Sequence, residues 1–226
     1  MTSPARRHFE RVSAALAAAD AGEAPMQGEA YELMQAALFE DYRLLKSTQS
    51  MERKAEIKRE LLPKYAEYVA GVLEAGQGAQ DDVLMRVMLW RIDAGDLAGA
   101  IAIAKYATQH GLTPPDQFER GTPAIIAEEV ADQALKQLDV EDADALTLLA
   151  HLLEVERITQ DADMHDQIRA KLHKALGYAC RATGQLDDAQ HHLERALALN
   201  DRIGVKKDLE RLERERKQNA AAAPTG

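Results

Sequence analysis

WRIDAGDLAGAIAIAKYA, residues 90–107, decides the fold. The stretch reads as the end of one helix, a Gly-Asp-Leu corner, and a second helix with alanines on one face. Gly95 at the corner admits the positive φ that ends a helix. Leu97, Ala100 and Ala107 follow at spacings that let two helix backbones approach closely. The phrase returns in GYACRATGQLDDAQHHLERALAL, residues 177–199. There Gly184, Leu186, Ala189 and Ala196 stand 89 residues after their counterparts, with Leu176-Gly177 in front. The first copy has Val87 and Met88 in place of that Leu-Gly pair. Leu-Gly, a corner Gly and spaced alanines are the tetratricopeptide pattern. Any antiparallel helix pair shares part of it. A lone repeat cannot bury its own face, so each hairpin needs other helices or other subunits.

Working outward, the 226 residues suffice for one large domain or two small ones. Hydrophobic residues make up 46% and aromatics 4%, so the core must be built of Leu, Ala, Val and Ile. No run of alternating β-branched residues is long enough for a strand. The expected fold class is all-α. Helices are expected from Pro4 to about Ala19 and over 29–47, 50–62 and 64–75, with Pro63 ending or kinking the third. Others are expected at 81–94, 96–110, 122–138, 143–159, 166–183 and 185–199, before a last charged helix, VKKDLERLERERKQ. These group as an N-terminal helical region with basic helices (1–78) and a helical-repeat-like body (79–200). A charged amphipathic helix (201–218) and a disordered tail (219–226) complete the expected organisation.

The single cysteine, Cys180, excludes an internal disulfide and fits a reducing cytoplasm. It falls mid-helix, where a core residue is expected, and reads as a buried inert thiol. The N-terminus lacks the apolar stretch of a secretory signal, and no run is long enough to span a membrane. The reading is a soluble intracellular protein.

Net charge is −10, which argues against nucleic-acid binding over the whole surface. The charge is uneven. Residues 1–80 carry 10 basic and 12 acidic groups, residues 81–165 carry 6 and 17, and residues 166–226 carry 12 and 9. Between Tyr42 and Lys64 lie Arg43, Lys46, Arg53, Lys54, Lys58, Arg59 and Lys64 against three glutamates. Lys54 and Lys58 share a helix face, as do Arg43 and Lys46. Such a face suits phosphates, or it is a solvated helix laced with ion pairs. Arg6, Arg7 and Arg11 form a second basic cluster on the first helix. Val205, Leu209 and Leu212 make one apolar stripe on the last helix, too short for a self-sufficient coiled coil. The stripe reads as a contact for a partner or a second copy.

Paired carboxylates could hold Mg²⁺ for nuclease chemistry, at Asp81-Asp82, Glu128-Glu129, Asp161/Asp163 or Asp187-Asp188. Adjacent helical residues diverge by about 100°, so each doublet aims one carboxylate in a given direction. Acids at helix starts also have a simple structural role. His191-His192 diverge in the same way. No His-x-x-x-His or Cys-x-x-Cys spacing is present. GQGAQ lacks the Lys-Ser/Thr that grips a nucleotide. The residues therefore give no catalytic set, no metal set and no cofactor.

Four segments carry a resemblance: LKSTQSMERKAEIKRELLPKY (45–65), GAQDDVLMRVMLWRIDAGDLAGAIAIAKYA (78–107), RAKLHKALGYA (169–179) and GVKKDLERLERERK (204–217). Together they resemble the small terminase subunit of Peduovirus-type tailed phages and their prophages, over nearly the whole chain. That family is also labelled the terminase endonuclease subunit. The resemblance implies recognition of the cohesive-end site on concatemeric phage DNA, in the cytoplasm of the bacterial host. It also implies recruitment and regulation of the large ATPase subunit, and assembly as a homo-oligomeric ring. The label implies involvement in the cohesive-end cut, for which the residues show no motif. Two readings stand, a DNA-recognition and assembly subunit or a metal-dependent nuclease. A helical-repeat adaptor with no DNA contact is a third.

Overall fold

A computed structural model describes residues 3–114 and 120–222. The described residues are all-helical and divide into two compact units, Met1–Thr122 and Pro123–Gly226.

The first unit runs α1 (Pro4–Ala21), α2 (Glu29–Ser47), α3 (Met51–Leu61), a 3₁₀ turn (Leu62–Tyr65), α4 (Ala66–Ala75), α5 (Asp82–Ala94) and α6 (Leu97–Gln109). Side-chain caps set several of these starts. Ser3 accepts from the Arg6 amide at 3.3 Å, and Ser50 from the Arg53 amide at 3.2 Å. Asp96 accepts from the Gly99 amide at 2.9 Å. Pro63 turns the chain through the 3₁₀ segment between α3 and α4.

Two packing features hold this unit together. The first is α1 against α4. A methyl group built on Gly71 would overlap the Arg11 carbonyl oxygen and lie 2.9 Å from the Ala15 amide nitrogen and from the Ala14 Cβ. Ala14 and Ala18 are fully buried on the facing side of α1. The second is the hairpin of the opening stretch. Gly95 ends α5 in the left-handed region at φ 87°, and Leu97, Ala100, Ala104 and Ala107 of α6 are buried. Along α5, residues 83–85 and 87–90 are buried. Trp90 meets Tyr65 edge to face, with centroids 6.0 Å apart.

Helix α2 buries an acid and leaves leucines in solvent: Leu45 and Asp41 are buried, whereas Leu33 and Leu44 are exposed. Asp41 accepts from Lys64 Nζ at 2.8 Å and from the Tyr65 hydroxyl at 2.5 Å. A buried carboxylate held by two donors thus fastens α2 to the 3₁₀ turn.

The second unit runs α7 (Thr122–Leu138), α8 (Ala145–Thr159), α9 (Asp166–Ala182), α10 (Leu186–Leu199) and α11 (Lys206–Ala222). Helices α9 and α10 form the second hairpin, with Gly184 at φ 79°. Gly177 lets α10 in close: a Cβ there would sit 2.6 Å from Leu193 Cδ2 and 3.2 Å from the Ala189 carbonyl. Lys171 of α9 reaches Glu128 at 3.1 Å and Asp132 at 2.9 Å on α7. Arg169 closes the end of α8 by donating to the carbonyls of Thr159 (2.8 Å) and Ala162 (3.1 Å).

Helix α11 departs from its expected use as a contact for other molecules. Val205 and Leu212 are fully buried within the chain, and Leu209 is half-buried. Tyr178 of α9 donates to Asp208 at 2.9 Å, and Arg181 pairs with Glu215. The stripe covers the helix's own unit, because a single hairpin leaves a face that a third helix must close. The helix also continues through Ala222, since the alanines after Asn219 are strong helix formers. Residues 223–226 of the expected tail, and residues 115–119, lie outside the described residues.

Asp81, one of the candidate metal-binding acids, is fully buried as the N-cap of α5. It accepts from the Leu84 amide at 2.9 Å and the Tyr68 hydroxyl at 2.7 Å. Desolvation pushes its carboxyl up to about 6 from 3.8, against the pull of those hydrogen bonds. A raised folded-state value means that the folded chain binds more protons than the unfolded one between the two values. This group's contribution to stability therefore falls as pH rises from about 4 to about 6.

Two outcomes follow from these contacts. Gly71→Ala should destabilise the chain by about 1–3 kcal/mol through overpacking, read as a melting temperature lower by several degrees. An unchanged melting temperature would show that α1 and α4 do not touch at Gly71. Asp81→Asn keeps the cap but removes the buried charge. Its stability relative to the parent should improve by up to about 2–3 kcal/mol between pH 4 and pH 6. A pH-independent difference in denaturant titrations would contradict the burial of Asp81.

Candidate functional site

The ten basic residues singled out in the sequence sort into two groups by what holds them. Five join one helix to another within the first unit. Arg7 lies 4.0 Å from Glu67, and Arg11 donates to Glu74 at 2.9 Å, both across to α4. Lys58 is mostly covered and pairs with Asp93, while Arg59 donates to the Ala94 carbonyl at 3.1 Å. These two cations seat α3 on the C-terminal end of α5, where the helix dipole favours positive charge. Lys64 is held by Asp41, as described above.

The other five are displayed. Arg6 pairs with Glu10, Arg43 with Glu40, and Arg53 with Glu56 and Glu60, each within its own helix and exposed. Exposed pairs of this kind stabilise a chain very little, so the fold makes small use of these cations. Lys46 is exposed and Lys54 half-buried, and among the described residues neither has an ion-pair or hydrogen-bond partner. They flank the turn between α2 and α3. Spacing alone placed Lys54 and Lys58 on one face. The partners separate them, because Lys58 is tied to α5 and Lys54 is not.

The carboxylate doublets do not gather into a cage. Asp81 caps α5, and Asp82 accepts from the Gln80 side chain at 3.1 Å. Glu128 holds Lys171, Asp187 pairs with Arg216, and Asp161 and Asp163 are exposed. Among the described residues, one group of His, Cys, Asp or Glu converges with metal-ligand spacing, and it contains none of these acids.

That group is Glu156 on α8, His173 on α9 and His192 on α10, with donor atoms all within 4.8 Å of one another. His173 Nδ1 lies 3.1 Å from His192 Nδ1 and 3.6 Å from Glu156 Oε1. The two rings stack, with centroids 5.3 Å apart. Burial pushes His173 down to about 4, assisted by His192, Arg195, Arg169 and His191. Burial also lowers His192 and raises Glu156. His192 turns from its neighbour His191, whose ring is 5.5 Å away and steeply inclined, towards His173. The sequence reading missed this group because it weighed spacing within one helix. Its three members come from three helices, 17 and 19 residues apart. Cys180, buried nearby on α9, is pushed up to about 11 by desolvation and stays a thiol at neutral pH.

No solved structure matches the chain. Residues 35–167 match the family described as phage small terminase subunit. The chain is 47% identical over 224 residues to the "Terminase, endonuclease subunit" of Escherichia phage P2, covering 99% of this chain and 90% of that protein. It is 24% identical over 199 residues to the "Probable terminase, endonuclease subunit" of Haemophilus phage HP1 (strain HP1c1), covering 81% and 69%. The chain therefore belongs to the phage small terminase subunit family, whose members serve phage DNA packaging.

Proposed function

We propose that this chain recognises the cohesive-end site on concatemeric viral DNA and recruits and regulates the large ATPase subunit of the terminase. It acts in the cytoplasm of the bacterial host, as a homo-oligomer whose tetratricopeptide-like hairpins, one in each unit, supply the helical scaffold. Family membership carries the reading. The displayed cations Arg6, Arg43, Lys46, Arg53 and Lys54 supply a phosphate-binding surface that the fold does not use for its own docking. No helix among the described residues is long and apolar enough to cross a membrane.

Self-association has a surface to use in the first unit. Phe9 (70% exposed) and Leu16 on α1, and Leu33 and Phe39 (62%) on α2, leave large apolar groups uncovered. Phe9, Ser13, Leu33, Met34 and Tyr68 line a cleft of about 120 Å³ between these helices. Exposed apolar surface of this kind marks interaction sites. The stripe of α11, closed within its own unit, leaves α1 and α2 as the better contact for a second copy.

The names of both relatives favour a second reading, in which this chain also cuts the cohesive ends. That reading predicts nicking of site-containing DNA by the purified chain with a divalent ion and no large subunit. Complete inactivity under those conditions would leave cleavage to the large subunit.

DNA recognition is tested by a salt-titrated binding assay with site-containing DNA. Lys46→Glu combined with Lys54→Glu should weaken binding about tenfold and reduce the log–log salt slope by about 2. The melting temperature should stay unchanged, because neither lysine holds a partner. Lys58→Ala should instead lower the melting temperature. Unaltered DNA affinity in the double variant would remove the α2–α3 turn from the interface. Light scattering should give a mass of several chains, reduced by Phe9→Ser with Phe39→Ser; a monomeric parent would contradict self-association.

A further inference from the structure

We propose that Glu156, His173 and His192 bind one late first-row divalent cation, zinc above all, in a tetrahedral site completed by water. The inference concerns the second unit and does not rest on the DNA-binding reading.

Distances carry the first part of the argument. Zinc–nitrogen bonds of 2.0–2.1 Å at tetrahedral angles place two ligand atoms about 3.3 Å apart. The observed separations of 3.1 Å between the two Nδ1 atoms and 3.6 Å from His173 to Glu156 straddle that edge length. The longest separation, within 4.8 Å, closes by rotation of the carboxylate, the most mobile of the three groups.

The carboxylate decides between a cation and a simple imidazole pair. Two neutral rings 3.1 Å apart satisfy each other if one carries its proton at Nδ1. Such a pair leaves Glu156 unexplained. Its carboxylate lies beyond hydrogen-bond reach of His173, and among the described residues no Lys or Arg pairs with it. Arg169, whose charge is felt there, is held by the carbonyls at the end of α8. A half-buried carboxylate facing two imidazole nitrogens, with no lysine or arginine paired to it among the described residues, leaves a place for a positive centre between them.

The surroundings select the ion. Arg169 and Arg195 add positive potential around His173, and Asp188 adds negative potential around His192. A loosely held hard cation such as Mg²⁺, which prefers oxygen and keeps its waters, gains little here. An ion with strong inner-sphere bonds to imidazole does. Two His and one Glu leave the fourth tetrahedral position to water, the arrangement of open zinc sites. Three helices contribute one ligand each, so the ion would also pin α8 to the α9–α10 hairpin.

The test uses the full chain, stripped with chelator and titrated with Co²⁺ and, separately, Zn²⁺. One equivalent of Co²⁺ should give the intense visible bands of a tetrahedral site, and Zn²⁺ should displace it and raise the melting temperature. Glu156→Gln and His192→Gln should lose the bands and bind more than about tenfold more weakly. The metal-free melting temperature of Glu156→Gln should match the parent's, because that carboxylate holds no hydrogen bond among the described residues, which separates ligand loss from misfolding. His191→Gln should bind as the parent does. Absent tetrahedral bands in the parent would overturn the proposal. So would bands that survive both ligand substitutions, or that depend on His191 rather than on His192.

Discussion

The structure of the first unit depends on the approach of two backbones at Gly71. A side chain there would overlap the Arg11 carbonyl, so α4 lies directly on the main chain of α1. Gly177 does related work in the second unit, where Leu193 and the Ala189 carbonyl occupy the space a methyl group would need. With aromatics at 4% of the chain, large rings cannot fill wide gaps between helices. Helices must instead come close, and dispersion between small residues then replaces bulky core packing. The buried Ala14, Ala18, Ala100, Ala107, Ala189 and Ala196 belong to the same solution.

Close packing of thin helices leaves long side chains at the rims, and their charges divide by task. Some cations bridge helices: Lys58 and Arg59 at the end of α5, Lys64 on Asp41, and Lys171 on Glu128 and Asp132. Each sits opposite a carboxylate or a helix C-terminus, which explains why a chain of net charge −10 keeps so many bases beside its acids. Others remain on the surface, in weak pairs within one helix or without a partner. Those are the charges available to a polyanion. The anionic total and a DNA-packaging role are compatible because recognition needs a local surface, not a basic molecule.

Much of the fold was legible from local signals. Ser3, Ser50, Asp81 and Asp144 cap helices, and Gly95 and Gly184 end them, so helix positions other than the end of α11 follow to within a residue or two. The positions of Ala100 and Ala189 told which faces meet. What stayed illegible is non-local. Asp41 reads as a surface acid on α2 until Lys64 and Tyr65 are folded over it. Lys54 and Lys58 look equivalent until Asp93 claims one of them. Val205 and Leu212 look available to a partner until α9 and α10 need a cover. Glu156, His173 and His192 show no pattern at all, because no helical period relates residues on three separate helices.

The central claim is that DNA meets the displayed cations of the first unit while the packed hairpins stay unaltered. Hydrogen exchange of the full chain, with and without site-containing DNA, tests it most directly. The account predicts slower amide exchange on DNA binding in α1 and across the α2–α3 turn, with α5, α6, α9 and α10 unchanged. Protection confined to residues 166–217, or none anywhere while DNA is bound, would contradict it.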